Sequence, residues 1–159
     1  MKIGKKELSF YWKIIKLPVY VLIGWSVLAF IVALASFSLY TSIFSSFASW
    51  ILTIVVFGFI GWTTVKDHKE QVGTAAWAGA IAGVISGVVG AVIGIVMFYL
   101  VPDMIEIALQ QAAQAGANTD ALIGIMKIWV FAGLIMGPIF NAIIGSIISL
   151  IAGFIAKKV

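Results

Sequence analysis

Residues 71–102 read QVGTAAWAGAIAGVISGVVGAVIGIVMFYLVP, and none of these 32 residues is Asp, Glu, Lys, Arg or His. The hydrocarbon core of a bilayer is about 30 Å thick and is crossed by roughly 20 apolar residues of helix, so this block spans with length to spare. The same silence recurs on both sides. Leu17 to Val65 (49 residues) and Ile128 to Ala156 (29 residues) also lack Asp, Glu, Lys, Arg and His. The first of these is long enough to cross twice. With 63% hydrophobic and 10% charged residues and a mean hydropathy of +1.18, the chain has too little polar surface to cover a water-soluble fold. The expectation is an all-α integral membrane protein, one domain over residues 1–159, with transmembrane helices at 18–39, 43–63, 73–101 and 128–156.

The connections follow from polar residues and prolines. Ser36, Ser38, Tyr40, Thr41, Ser42, Ser45 and Ser46 cluster where the first block must turn, near Tyr40–Ser42. Residues 5–17 carry Lys5, Lys6, Ser9, Lys13 and Lys16 on one helical face and Leu8, Tyr11, Trp12 and Ile15 on the other. That pattern reads either as an amphipathic helix in the interface or as a cytoplasmic flank with snorkelling lysines. Pro18 is expected to open the next helix, because it has no N–H to donate within one. Ala33-Leu34-Ala35 resembles a signal-peptide cleavage site, but the apolar run continues beyond it and a retained first helix is expected. Residues 103–115 form a second amphipathic helix, with Asp103, Glu106, Gln110 and Gln114 on its polar stripe. Gly116 is placed to end it, and Asn118, Thr119 or Asp120 to cap the last helix, which Gly137-Pro138 should bend.

Orientation rests on the lysines. Lys2, Lys5, Lys6, Lys13, Lys16, Lys66, Lys69, Lys157 and Lys158 fall on the side of the termini, against Lys127 alone on the other. By the positive-inside rule both termini are cytoplasmic, in a cell membrane. The lysines form no dense tract and there is no Arg, so a nucleic-acid partner is not expected.

Candidate functional residues are few. Gly79, Gly83 and Gly87 stand four apart, with Ala75 and Ala91 on the same stripe and Gly90-xxx-Gly94 beside it. The last helix offers Asn141, Gly145, Ser149 and Gly153, with Gly133-xxx-Gly137 above. Such glycine-zipper-like stripes let helix backbones approach closely, within one chain or between copies. Asn141 is the strongest polar side chain inside a span; it suits an interhelical hydrogen bond or the lining of a solute path. Ser86, Ser146 and Ser149 can bond back to their own helices. His68 is the single histidine and there is no Cys, so Asp67-His68-Lys69-Glu70 reads as a solvated loop rather than a metal site. No embedded charge serves ion coupling, and no catalytic motif appears, so neither an enzyme nor a cofactor is expected.

From about Trp50 to Val159 the chain resembles a bacterial four-span membrane family of unknown function. The shared features are the short charged loop before a glycine-bearing third helix, Pro102-Asp103 opening a Gln-rich helix, Gly145 to Ile151, and the terminal Lys157-Lys158. That family lends a layout and no activity. The functional expectation is a structural or accessory membrane protein that acts by helix–helix association, with itself or with a larger membrane partner. The alternative is an oligomeric channel or facilitator for a small neutral solute.

Overall fold

Pro18 lies inside a helix and does not begin one. In the computed structural model, which describes residues 2–3, 6–44, 47–114 and 118–159, α1 runs unbroken over Leu8–Ala35. A proline in a helix interior leaves the carbonyl four residues earlier without its partner and costs about 3 kcal/mol in isolation. Here Ile14, Ile15, Pro18, Val19 and Leu22 are all buried, and that packing holds the helix through the proline. The basic-faced segment is therefore helical only from Leu8, Lys6 and Glu7 being extended, and it merges with the first span instead of lying apart from it. Tyr11 and Ile15, expected on its bilayer face, are 1% and 0% exposed in the protein core, whereas Leu8 and Trp12 stay outside. Lys5 lies outside the described residues.

Extended backbone at Ser36 ends α1. The Leu39 N–H then donates to Ser36 Oγ (3.4 Å), and a short helix α2 (Phe37–Phe44) occupies the expected turn at Tyr40–Ser42. Thr41 and Ser42 donate their hydroxyls to the Ser38 carbonyl, which satisfies polar groups at this level of the membrane. Ser45 and Ser46 lie outside the described residues. Helix α3 (Phe47–Lys66) returns, α4 (Val72–Leu100) crosses again, α5 (Pro102–Gln114) is the amphipathic segment, and α6 (Thr119–Lys158) completes the bundle. Among the described residues, α1, α3, α4 and residues 122–158 of α6 are long and apolar enough to span. The 40 residues of α6 continue through Pro138 and measure roughly 60 Å at 1.5 Å per residue. The Asn118 carbonyl accepts from Leu122 N–H at the start of α6; Gly116 lies outside the described residues.

One end of the bundle gathers both termini. A ribbon pairs β1 (Lys2–Ile3) with β2 (Lys6–Glu7), and Lys6 Nζ forms an ion pair of 2.6 Å with Glu70 Oε1 in the α3–α4 connection. The same ammonium lies 5.0 Å from the Phe10 ring centroid, and Phe10 meets His68 edge-on. This pair is partly exposed, so Glu70→Gln is expected to change global stability by less than about 1 kcal/mol. It should instead speed amide exchange over residues 6–10, an effect that added salt reproduces in the wild type.

The densest packing is at this same end. Ile15, Val19, Phe57, Ile60, Ala78 and Ala82 form one core where α1, α3 and α4 meet, and Thr64 is buried beside it. At the far end Ala33, Met97 and Val101 form a smaller cluster that joins α1 to α4. Helices α4 and α6 share the most extensive interface.

Candidate functional site

Two features arise where the packing changes character along α4. The first is a closed seam. A Cβ added to Gly79 would overlap the Gly145 carbonyl, one on Gly83 the Asn141 carbonyl, and one on Gly87 would lie 2.6 Å from Pro138 Cα. From the other side, a Cβ on Gly145 would come within 2.5 Å of Gly79 O and 2.6 Å of Phe57 Cε1. Gly153 is looser, with Ala75 Cβ and Val65 Cγ2 each 3.1 Å away. These residues meet within one chain, α4 against α6.

Ser149 also joins the seam, in a way its spacing did not announce. Its hydroxyl crosses to α3 and donates to Phe57 O at 2.8 Å instead of returning to its own helix. The residue missed from the sequence is Gly61, where a Cβ would overlap the Ser149 carbonyl. Gly61 has no small residue four positions away in α3, so a search for paired small residues passes over it. The usable signal was Gly61 standing amid bulky residues with no turn to explain it.

Gly90 and Gly94 behave differently. Neither has an atom within 4 Å of an added Cβ, and the same holds for Gly133 on α6. The seam therefore closes from Gly153 up to Gly87 and Pro138, loosens at Gly137 (3.6 Å to Gly87 O), and is open beyond.

The second feature begins where the seam opens: a cavity of about 320 Å³ bounded by α1, α2, α3, α4 and Asn141 of α6. Gly90 and Gly94 line it, and so serve as wall rather than contact. Its polar lining is Ser26, Tyr40, Ser49, Thr53, Ser86 and Asn141, and its aromatic lining includes Trp25, Phe44 and Phe57. No lining residue is Asp, Glu, Lys, Arg or His. Trp25 Nε1–H donates to Ser49 Oγ (3.2 Å), whose hydroxyl donates to Phe44 O (2.7 Å), while the Trp25 ring lies 4.7 Å from the Phe44 ring. This chain of contacts ties α1 to the α2–α3 junction across the far half of the bundle.

Asn141 does not make the interhelical bond expected of it. Its Nδ2 donates to Gly137 O at 3.0 Å, one turn back on its own helix. The remaining carboxamide capacity faces the cavity side, where Asn141 is half-buried. Three further cavity hydroxyls are similarly turned onto backbone: Ser26 to Leu22 O, Thr53 to Ser49 O and Ser86 to Gly83 O. His68 packs against Phe10, and no group of three or more His, Cys, Asp or Glu gathers among the described residues.

No protein-family model, curated protein or solved structure matches this chain.

Proposed function

We propose that this chain is a non-enzymatic multi-pass protein of the cell membrane, with both termini in the cytoplasm, that holds a small uncharged solute in its far-end cavity. The lysine asymmetry supports the orientation. The observation that carries the reading is a cavity at membrane depth that combines aromatic walls with uncharged hydrogen-bonding groups. Binding sites for small molecules share that composition: mostly apolar, with a few polar groups that orient the ligand. The association reading finds less support, because Gly79, Gly83 and Gly87 are used inside the chain against α6. An accessory role beside a homologous copy or a larger partner must use lipid-facing residues such as Trp129 and Phe140.

Native mass spectrometry of the protein released from native lipid discs separates these readings. The expected species is a monomer with a neutral adduct of low mass, reduced in Asn141→Leu while the melting temperature stays near that of wild type. A bare monomer in every preparation retires the solute reading. A stable dimer or a second polypeptide restores the association reading.

A further inference from the structure

We infer that the cavity loads sideways from the bilayer, past Gly90 and Gly94 of α4, and that its ligand is an uncharged lipophilic molecule that donates a hydrogen bond from a hydroxyl. The inference rests on the cavity being the working site, and it adds a ligand class and an entry route.

The class follows from where the cavity's protons go. Ser26, Ser49, Thr53 and Ser86 each direct their hydroxyl hydrogen to a backbone carbonyl at 2.7–3.2 Å. Trp25 N–H is directed to Ser49, and one amide hydrogen of Asn141 to Gly137 O. What remains is weighted toward acceptors: four hydroxyl oxygens and Asn141 Oδ1, against the second Asn141 amide hydrogen and the Tyr40 hydroxyl as donors. A ligand that donates therefore has more partners than one able only to accept. A charged ligand would lose its hydration with no countercharge among the lining residues. Size narrows the class further. At about 320 Å³ the cavity is twice an apolar cavity of about 150 Å³ that admits benzene, so a fused two-ring molecule fits.

The route follows from the opened seam. Gly90 lines the cavity yet is exposed, and an added Cβ at Gly90 or at Gly94, which also lines it, meets nothing within 4 Å, so the cavity wall is open along this face of α4. Toward the termini the passage is shut, because backbone meets backbone at Gly83 and Gly79. A solute dissolved in lipid reaches such a cavity without crossing water.

The test uses the full chain in lipid discs and equilibrium dialysis, with empty discs as reference. The probes are 1-naphthol, which donates; 1-methoxynaphthalene, which only accepts; and naphthalene, which does neither. Wild type should bind 1-naphthol saturably at one site and 1-methoxynaphthalene about five- to tenfold more weakly, the value of about one net hydrogen bond. Gly94→Leu should fold, since nothing stands within 4 Å of its Cβ, and should lose at least about tenfold in 1-naphthol affinity. Gly90→Leu is the second variant should the first misfold. Gly24→Leu, exposed on α1 and away from the cavity, should bind like wild type. Absence of saturable binding in wild type overturns the solute reading itself. Equal affinity for the naphthol and its methyl ether overturns the donor class. Folded Gly94 and Gly90 variants that bind as wild type overturn the sideways route.

Discussion

Gly83→Leu is expected to yield no stably folded protein, and Gly83→Ala to lower stability by about 1–3 kcal/mol, the usual penalty of overpacking. The reason is the neighbour. A Cβ at Gly83 falls on the Asn141 main chain, with Ala142 Cα 2.8 Å away, and a backbone does not rotate aside as a side-chain tip does. Relief requires α4 and α6 to separate, which also breaks the contacts at Gly79 and Gly87. In a bilayer this loss is severe because lipid is as apolar as the core, so helices associate through close packing and not through burial. The control is Gly58→Ala on α3, where an added Cβ meets nothing. There the helix preference for alanine should raise stability by about 0.5–1 kcal/mol. Denaturant titration of helicity in mixed micelles measures all three. A folded Gly83→Leu protein with wild-type stability would falsify the seam as the structural core.

Phe57→Ala should destabilise by about 2 kcal/mol, less than the same change in a water-soluble core. Phe57 is 1% exposed; its ring packs on Gly145 and it lines the cavity floor. Removing the ring leaves the carbonyl in place, so the bond from Ser149 survives and the loss is one of packing alone. Since no water is excluded by this ring at membrane depth, the transfer share of the usual penalty falls away and the void share remains. Ser149→Ala isolates the complementary quantity and should cost about 0.6–2 kcal/mol. The same micelle titration reads both. A Phe57→Ala loss above that of an equally buried phenylalanine in water would show the void argument to be mistaken.

Much of this architecture was legible from where charge is missing. A block without Asp, Glu, Lys, Arg or His has no alternative to lipid or protein around it, so the four spans emerge from length and hydropathy, and α5 emerges from its polar stripe. Boundaries were harder, and for identifiable reasons. Pro18 reads as a helix start from its missing N–H, yet buried neighbours carry α1 through it. Ser36 to Ser42 reads as a turn from its hydroxyls, yet those hydroxyls bond the local backbone and permit a helix. The glycines divided similarly. Spacing placed Gly79, Gly83, Gly87, Gly90 and Gly94 on adjoining stripes, but spacing does not reveal that nothing packs closely on Gly90 and Gly94. Gly90 and Gly94 therefore line a space instead of filling a contact. Asn141 and Ser149 exchanged expectations: the amide bonds its own helix and the serine reaches another. Both outcomes depend on side-chain direction at a crossing, which a one-dimensional pattern does not encode.

The seam between α4 and α6 also sets an order of events in biogenesis. Synthesis and insertion proceed from the amino terminus, so α4 enters the membrane well before Asn141, Gly145 and Ser149 have left the ribosome. Until they arrive, Gly79 and Gly83 present a strip of bare main chain with no helix to cover it. Nor can Gly61 of α3 find its partner earlier, since that partner is Ser149. α6 is thus the helix that locks α3 and α4, both made before it, and these two cannot settle against each other finally until α6 has been delivered.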